Sequence, residues 1–515
     1  MPELYWKAKD RSIKRNVDEA LPIYPFITLE LNRYPIIDNI GLENEKIKKA
    51  IEDHQRTKIH PKTWENILIQ GDNKEIMKSL MKKFEKKINL IYIDPPFATG
   101  SDFQSKTFIG ETDAFENSKA YSDSWDGGID EYISFLYDRL ALMKELLAEN
   151  GSIYVHLDWH VSHYIKIVLD EIFGKENFKN EIIWAYPAAS AKTRKFFIRS
   201  FDTILFYTKS ADYTFNDNPN IYMEYSNRVK FALKKDEKGT FYYRGGSHNG
   251  KKLSQKVYVS KKGIFPRDVW TDLPYIRANT VEYQAFSTQK PERLLKRIIL
   301  ASSNKNDIVA DFFCGTGTSL VVAEKLGRRW IGTDIEPNSI EICRKRILDV
   351  WNSNNLLDWD QKYQKIPNPF KVLKIDNAQK DSEINKSYIV ENEQILTQNS
   401  LSKQTSFEIK VNIDNNNVSI ELIGYSMPYL KFINDSLKTK VESFVDWIDS
   451  WAIDFKCQQD YFSTSWIAFR TPKNRELNLA SIKYTYNEIG DYSIAVKVHN
   501  ILGIETIQKY EIHIG

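Results

Sequence analysis

Cysteine is scarce in this chain: 515 residues contain three, Cys314, Cys343 and Cys457. Their scatter gives no CxxC pair, no zinc-ligand spacing and no disulfide framework, and it suits a reducing compartment. No apolar run reaches the roughly eighteen residues that a membrane-spanning helix needs. The first residues lack the apolar core of a secretory signal. Glycine (21) and proline (17) are too few for a collagen-like or low-complexity chain. Neither sign of charge dominates, since the net charge is only +3, so any partner must be read from where the charge sits. No internal repeat of fixed period occurs. Aromatics are plentiful, at 13%, and cluster in short β-like runs, for which core packing is the commoner reason.

Strand-like and helical runs alternate over most of the chain. Residues 1 to about 65 read as polar and irregular, with one helix over 43–54. Apolar runs at 66–70, 88–93, 151–157, 182–184, 202–207, 308–311 and 330–334 read as strands. Helices are expected over 74–84, 129–149, 291–302, 319–326 and 337–351, with another ending at Phe173. Residues 98–128 read as a long loop. This alternation signals an α/β domain with a mostly parallel sheet.

Two stretches break the pattern. Over 213–280, Tyr and Lys interleave, and thirteen Lys/Arg face six Asp/Glu. A basic, aromatic insertion in a balanced chain is a candidate nucleic-acid surface. A solvated loop with surplus lysine fits that segment equally well when it is judged alone. Residues 353–405 are Asn-, Gln-, Lys- and Ser-rich and read as a linker. From 406 onward the pattern turns to period-two alternation with turn residues, which suggests a β-sandwich.

Two motifs carry chemistry. Asp311-Phe312-Phe313-Cys314-Gly315-Thr316-Gly317-Thr318-Ser319 lies between a strand and a helix. Gly315 and Gly317 let the backbone turn tightly and approach a ligand. Asp334 ends the next strand nineteen residues after Gly315, about the spacing at which a carboxylate meets a ribose diol. The run is neither GxGxxG nor a phosphate loop, so a nucleoside without pyrophosphate suits it better. Asp94-Pro95-Pro96-Phe97 stops the strand at 88–93, because proline cannot continue a central strand. Exocyclic amino groups of nucleobases are poor nucleophiles, since the nitrogen lone pair is delocalised into the ring. A carboxylate and a backbone carbonyl, aimed by prolines of fixed φ, can both accept from such an NH₂ group and free its lone pair. An aromatic in fourth place can stack on the base. Taken alone, the first motif could be a tight strand-helix turn and the second an ordinary strand stop.

Together the motifs resemble those of β-group amino DNA methyltransferases that use S-adenosylmethionine, where the D-P-P-F type tetrapeptide precedes the cofactor segment. The chain is also similar to methylation subunits of type III restriction-modification enzymes. The likeness covers roughly 60–350. It implies a Rossmann-like methyltransferase sheet, with Asp94, Pro95, Pro96 and Phe97 catalytic. It implies cofactor binding by Asp72, Thr288, Gln289, Lys290, Pro291, Asp311, Phe312, Phe313, Gly315, Gly317, Thr318 and Asp334. In the resemblance Asp72 faces the cofactor adenine, and Thr288-Gln289-Lys290-Pro291 lines the methionine end. Phe312 stands where the family often has Pro, and Phe201-Asp202 where relatives often read His-Asp. Asp at position 94 favours adenine N6 over cytosine N4, whose enzymes more often carry Ser. No metal is expected, although His156, His160 and His163 have a helical spacing that suggests a cluster.

Residues 483–503 resemble the last strands of a PKD-like, immunoglobulin-type sandwich, and 445–455 fit an earlier strand. With eleven Lys/Arg against fourteen Asp/Glu from 406 onward, this region is no basic clamp. A structural or protein-binding appendage is the plainer reading; DNA wrapping or dimer contacts are the alternatives. The expected division is an N-terminal extension (1–60), a catalytic domain (61–212 and 281–352), a target-recognition insertion (213–280), a linker (353–405) and the sandwich (406–515). The expected activity is site-specific adenine-N6 methylation of double-stranded DNA in a prokaryotic, nucleoid-associated, cytoplasmic setting. A restriction subunit and a homodimer are left open as partners. The rivals are action on cytosine N4, RNA or a protein glutamine, and a non-catalytic DNA-binding subunit.

Overall fold

The computed structural model describes residues 5, 6, 9, 24–37, 64–187, 195–248, 251–260, 262–376, 405–427 and 435–515. The helix expected over 43–54 lies outside them, as does most of the expected linker. The main sheet has fourteen strands. From one edge they run Val269–Trp270, Phe178–Ala185, Phe201–Thr208, Leu147–Leu157, Ile88–Ile93, Ile308–Asp311 and Arg329–Asp334. Beyond these come Asn66–Gln70, Phe370–Ile375, Phe26–Ile37, Phe462–Phe469, Ile448–Asp454, Gly490–Asn500 and Glu505–Ile514. The strands from Leu147–Leu157 across to Phe370–Ile375 are mutually parallel.

These central strands are apolar on both faces because helices cover both. Alternate residues therefore enter different cores: Leu68, Leu90 and Tyr92 join one cluster, and Ile67, Ile69, Ile91 and Ile93 the other. The first face is covered by helices Glu292–Ser302, Thr318–Lys325 and Pro337–Leu348. The second is covered by Asn73–Phe84, Gly128–Leu146 and Ser162–Phe173. No helix among the described residues is long and apolar enough to cross a membrane.

The C-terminal region is a sandwich. One layer is the last four strands of the main sheet, and the other is Ser406–Asp414, Asn417–Ser426 and Tyr484–Thr485. Between them lie Trp451 and Trp466, with ring centres 4.5 Å apart, together with Ile494, Val496 and Phe455.

Four expectations need correction. The N-terminal stretch is not irregular throughout. Strand Phe26–Ile37 pairs antiparallel with Phe370–Ile375 and parallel with Phe462–Phe469, so it joins the α/β part of the sheet to the sandwich. Its apolar rhythm is broken by Glu30 and Asn32, which are buried. Glu30 is held there by Arg344 (2.9 Å), Thr464 (2.7 Å) and Lys497, partners distant in sequence. Second, the expected linker contributes Phe370–Ile375 to the sheet. Third, the expected loop after Phe97 contains a hairpin, Asp102–Phe108 with Phe115–Ser122. Its strands carry polar residues because it arches off the sheet. Fourth, the 213–280 segment is not one separate unit. A bridge between Met223 and Ile264 closes a small three-stranded sheet, whereas Trp270 and Leu273 belong to the main core.

Candidate active site

Asp72, Asp94, Asp158, Asp311 and Asp334 all stand at or just past the C-terminal ends of parallel strands. Ligands of open α/β sheets bind at that edge, where the chain leaves each strand. Here the strand ends surround a cavity of about 490 Å³. Fourteen of the sixteen residues expected at the site line it: Asp94, Pro95, Pro96, Phe97, Asp72, Thr288, Gln289, Lys290, Asp311, Phe312, Phe313, Gly315, Thr318 and Asp334. Gly317 and Pro291 stand behind the wall. Gly317 packs on Cys343, and Pro291 caps helix Glu292–Ser302.

The turn after Ile308–Asp311 is built by its glycines. Gly315 has φ +49° and Gly317 φ +73°, both left-handed. The Gly315 N–H donates to Asp334 Oδ2 (2.8 Å), and the Glu336 N–H donates to Oδ1 (3.0 Å). Asp334 thus fixes the turn and stands at the cavity wall beside Ile335, which is 61% exposed. Asp311 accepts from the Phe313 N–H (3.0 Å) and from the Ser319 hydroxyl. Burial nevertheless pushes its carboxyl up to about 7. A cationic ligand in the cavity would favour its ionised form.

A Cβ at Gly317 would lie 2.3 Å from Cys343 Sγ, whereas one at Gly315 would meet nothing within 4 Å. Gly317→Ala therefore adds overpacking to φ strain and should destabilise the fold by roughly 2–4 kcal/mol. Gly315→Ala carries the strain alone. Thermal unfolding of the two variants should rank them in that order; equal midpoints would remove the Cys343 contact from the account.

Asp72 caps helix Asn73–Phe84, accepting from the backbone of Lys74 (2.8 Å) and Glu75 (3.3 Å). Its other oxygen accepts from Arg139 (2.8 Å). Arg139 also donates to Asn73 (2.6 Å), which donates to the Phe312 carbonyl (2.7 Å). This chain of contacts ties two helices to the glycine-bearing turn.

Asp94 is held by Lys290, whose Nζ donates to Oδ2 at 2.6 Å and lies 5.4 Å from the centre of the Phe97 ring. Oδ1 of Asp94 is buried with no hydrogen-bond partner among the described residues. A buried carboxylate oxygen without a partner, on a residue that lines a cavity, is an acceptor suited to a ligand N–H. Behind the motif, Ala98 has φ +55°, a strained value for a residue with a side chain. Buried Asp123 holds it there, accepting from the N–H groups of Phe97 (3.2 Å), Ala98 (2.8 Å) and Thr99 (2.9 Å). Trp125 donates to the same carboxylate (3.2 Å).

The three histidines do not converge. His156 is fully buried, with its ring stacked against Phe97. Its Nε2 donates to the Asp202 carboxylate (3.0 Å), and its Nδ1 is hydrogen-bonded to the Tyr92 hydroxyl (2.9 Å). Burial opposes the Asp202 charge, but hydrogen bonds from His156 and Tyr186 and the charge of Lys290 hold its carboxyl below the usual range. His160 bonds Asp158 (2.6 Å), and His163 is exposed. Asp202 of the Phe201-Asp202 pair therefore orients the histidine beneath Phe97.

Reading the sequence missed Tyr92, Phe103, Trp125, Phe135, Arg139, Asp158, Ile335 and Ser339, which also line the cavity, and Asp123 behind it. Ile335 and Tyr92 adjoin the motifs and could have been found by extending them. Asp123, Arg139 and Phe103 have no local signal, because only folding brings them to the site.

The sequence profile of the family described as DNA methylase matches residues 88–345. The chain is 30% identical over 378 residues to the type II methyltransferase M.EcaI of Enterobacter cloacae, covering 64% of this chain and 80% of that protein. It is 32% identical over 284 residues to the DNA adenine methyltransferase YhdJ of Escherichia coli K12, covering 55% and 82%. It is 26% identical over 396 residues to a probable type III restriction-modification enzyme HindVI Mod subunit of Haemophilus influenzae, covering 55% of this chain and 51% of that one.

Proposed function

The chain belongs to the DNA methylase family, and from that premise we propose that it methylates N6 of an adenine flipped out of duplex DNA. The observation that carries the reading is the buried, unpartnered Oδ1 of Asp94, a residue that lines the cavity beside Phe97 and is braced through Oδ2 by Lys290. Asp94 Oδ1 accepts one N–H of the amino group while Phe97 stacks on the ring. Holding the amino nitrogen in this way turns its lone pair toward the methyl donor. Lys290 keeps the Asp94 carboxylate in one orientation, and buried His156 supports the Phe97 ring from behind. Catalysis on this account is positioning plus preset polar groups.

S-adenosylmethionine, when bound, supplies an electrophilic methyl group on a sulfonium sulfur. The acidic lining, the left-handed glycine turn and the exposed Ile335 suit a cationic nucleoside. On this reading Asp334 would meet the ribose, Ile335 and Phe313 the purine, and Asp72 the adenine edge. Thr288 and Asp311 would serve the methionine end. Base flipping brings the adenine out of the stack to Asp94.

Adenine is favoured by Asp at position 94 and by the similarity to YhdJ, a DNA adenine methyltransferase. We place target recognition in the small sheet within 223–264, between the Met223 and Ile264 bridge. Two of its lysines are tied up in ion pairs, Lys230 with Glu224 (2.5 Å) and Lys256 with Asp236, while the net positive surplus remains. Base-edge contacts from exposed residues such as Tyr243 and Phe231 then matter as well as phosphate contacts. The likeness to a Mod subunit suggests a restriction subunit as partner.

Mass spectrometry of nucleosides tests the reading, using unmethylated DNA incubated with the protein and S-adenosylmethionine. N6-methyladenine is the expected product. N4-methylcytosine would keep the site and overturn the base; no methylated base with or without an added restriction subunit would overturn the enzyme reading.

A further inference from the structure

The hairpin Asp102–Phe108 with Phe115–Ser122 is anchored at three levels. At its base, Asp123 holds the strained Ala98 backbone, and Gly100 donates to the Asp123 carbonyl (3.1 Å). Midway, the Lys106 N–H donates to the Ala285 carbonyl (3.2 Å), and the Ser287 hydroxyl reaches the Gln104 carbonyl (3.4 Å). Ala285 is itself left-handed, at φ +59°, and lies five residues before Lys290. Phe103 and Ser122 contribute to the cavity wall. The hairpin thus straps the loop carrying Asp94 to the segment carrying Lys290, and each segment contains a strained alanine that needs holding.

The tip is seated on the C-terminal sandwich. Ile109 is 1% exposed, enclosed by Met427, Leu437, Trp447 and Ile501. Gly110 approaches so closely that a Cβ there would lie 2.2 Å from Asp446 Oδ1. Arg475 lies 3.9 Å over the Phe108 ring, donates to the Thr112 carbonyl and pairs with Asp113 (3.0 Å). Lys440 donates to the Phe115 carbonyl (2.9 Å) and pairs with Glu116 (3.2 Å). A bare hairpin is marginal in water, so its conformation depends on such a seat.

We propose that the C-terminal sandwich is a positioning domain for methyl transfer: it seats the strap that locks Asp94 and Lys290 into register. This rests on the reading of Asp94 and Lys290 given above. Ile109 and Arg475 are then positioning residues, acting through the strap and far from the base. The sandwich's slight acidic excess agrees with a role that does not need phosphate contact.

The test uses the full chain, with Ile109→Ser, Arg475→Ala and a control, Lys483→Ala, on the exposed face of the sandwich. Hydrogen–deuterium exchange is read at 97–99 and 285–290, alongside kcat and KM on DNA. In Ile109→Ser, and more weakly in Arg475→Ala, exchange at both segments should quicken while 448–454 stays protected. The same variants should lose about tenfold to a hundredfold in kcat, more than any rise in KM. Lys483→Ala should match the parent. Exchange confined to 109–116, with 97–99 unmoved, would overturn the proposal, as would quickened exchange with kcat unchanged. If the parent transfers no methyl to any DNA, the enzyme reading fails, while the exchange data still decide whether the sandwich seats the strap.

Discussion

Asp94→Ala is expected to abolish methyl transfer while S-adenosylmethionine binding survives. Asp94 holds one oxygen on Lys290 at 2.6 Å and leaves the other buried without a partner among the described residues. Removing the carboxylate leaves nothing at this point to accept from an amino group and leaves Lys290 without its anion. A polar group aimed at developing charge in a closed site is worth about 10²–10³-fold in kcat, so a loss of at least that size should appear in single-turnover assays. Asp334, Gly315 and Ile335 lie in a different part of the wall and are untouched, so titration calorimetry should give a cofactor affinity close to the parent's. Retained turnover would remove Asp94 from the chemistry. Lost cofactor binding would make it a structural support of the pocket instead.

Glu30→Ala should be strongly destabilising although it lies outside the site. Glu30 lies on Phe26–Ile37, the strand that joins the two halves of the main sheet. Its carboxylate meets Arg344 (2.9 Å), Thr464 (2.7 Å) and Lys497, and Arg344 also pairs with Glu341 (2.7 Å). All of these side chains are buried or nearly so. Deleting one member of a buried ion network leaves charges without compensation, at about 3–5 kcal/mol. Denaturant unfolding followed by tryptophan fluorescence checks the loss; a change below about 1 kcal/mol would mean that the network relaxes.

The same residue sets an acid response. Burial alone would raise the Glu30 carboxyl, but Arg344 and Lys497 overcome it and hold the value at about 2, against an ordinary 4.5. The folded state therefore binds fewer protons than the unfolded one in that window. Its contribution is present above about 4.5 and is lost as pH falls toward about 2. Glu30→Gln should flatten the fall in stability over that range.

The sequence by itself determined the α/β alternation, the two motifs at strand ends and the period-two C-terminal region. These are local signals: an apolar run marks a buried strand, Pro-Pro stops one, and a Gly-x-Gly turn demands left-handed backbone. Fourteen of sixteen expected site residues consequently line one cavity. Tertiary structure decided what no local signal encodes. Glu30 makes Phe26–Ile37 look unlike a strand, because its charge is balanced by residues hundreds of positions away. Asp123 looks like a loop aspartate until it is seen holding three backbone N–H groups just behind Asp94-Pro95-Pro96. The hairpin after Phe97 is polar along its strands because its support comes from Trp447 and Ile501 in the sandwich rather than from a core of its own. Local pattern reports which residues prefer to be buried; only the assembled fold reports against what.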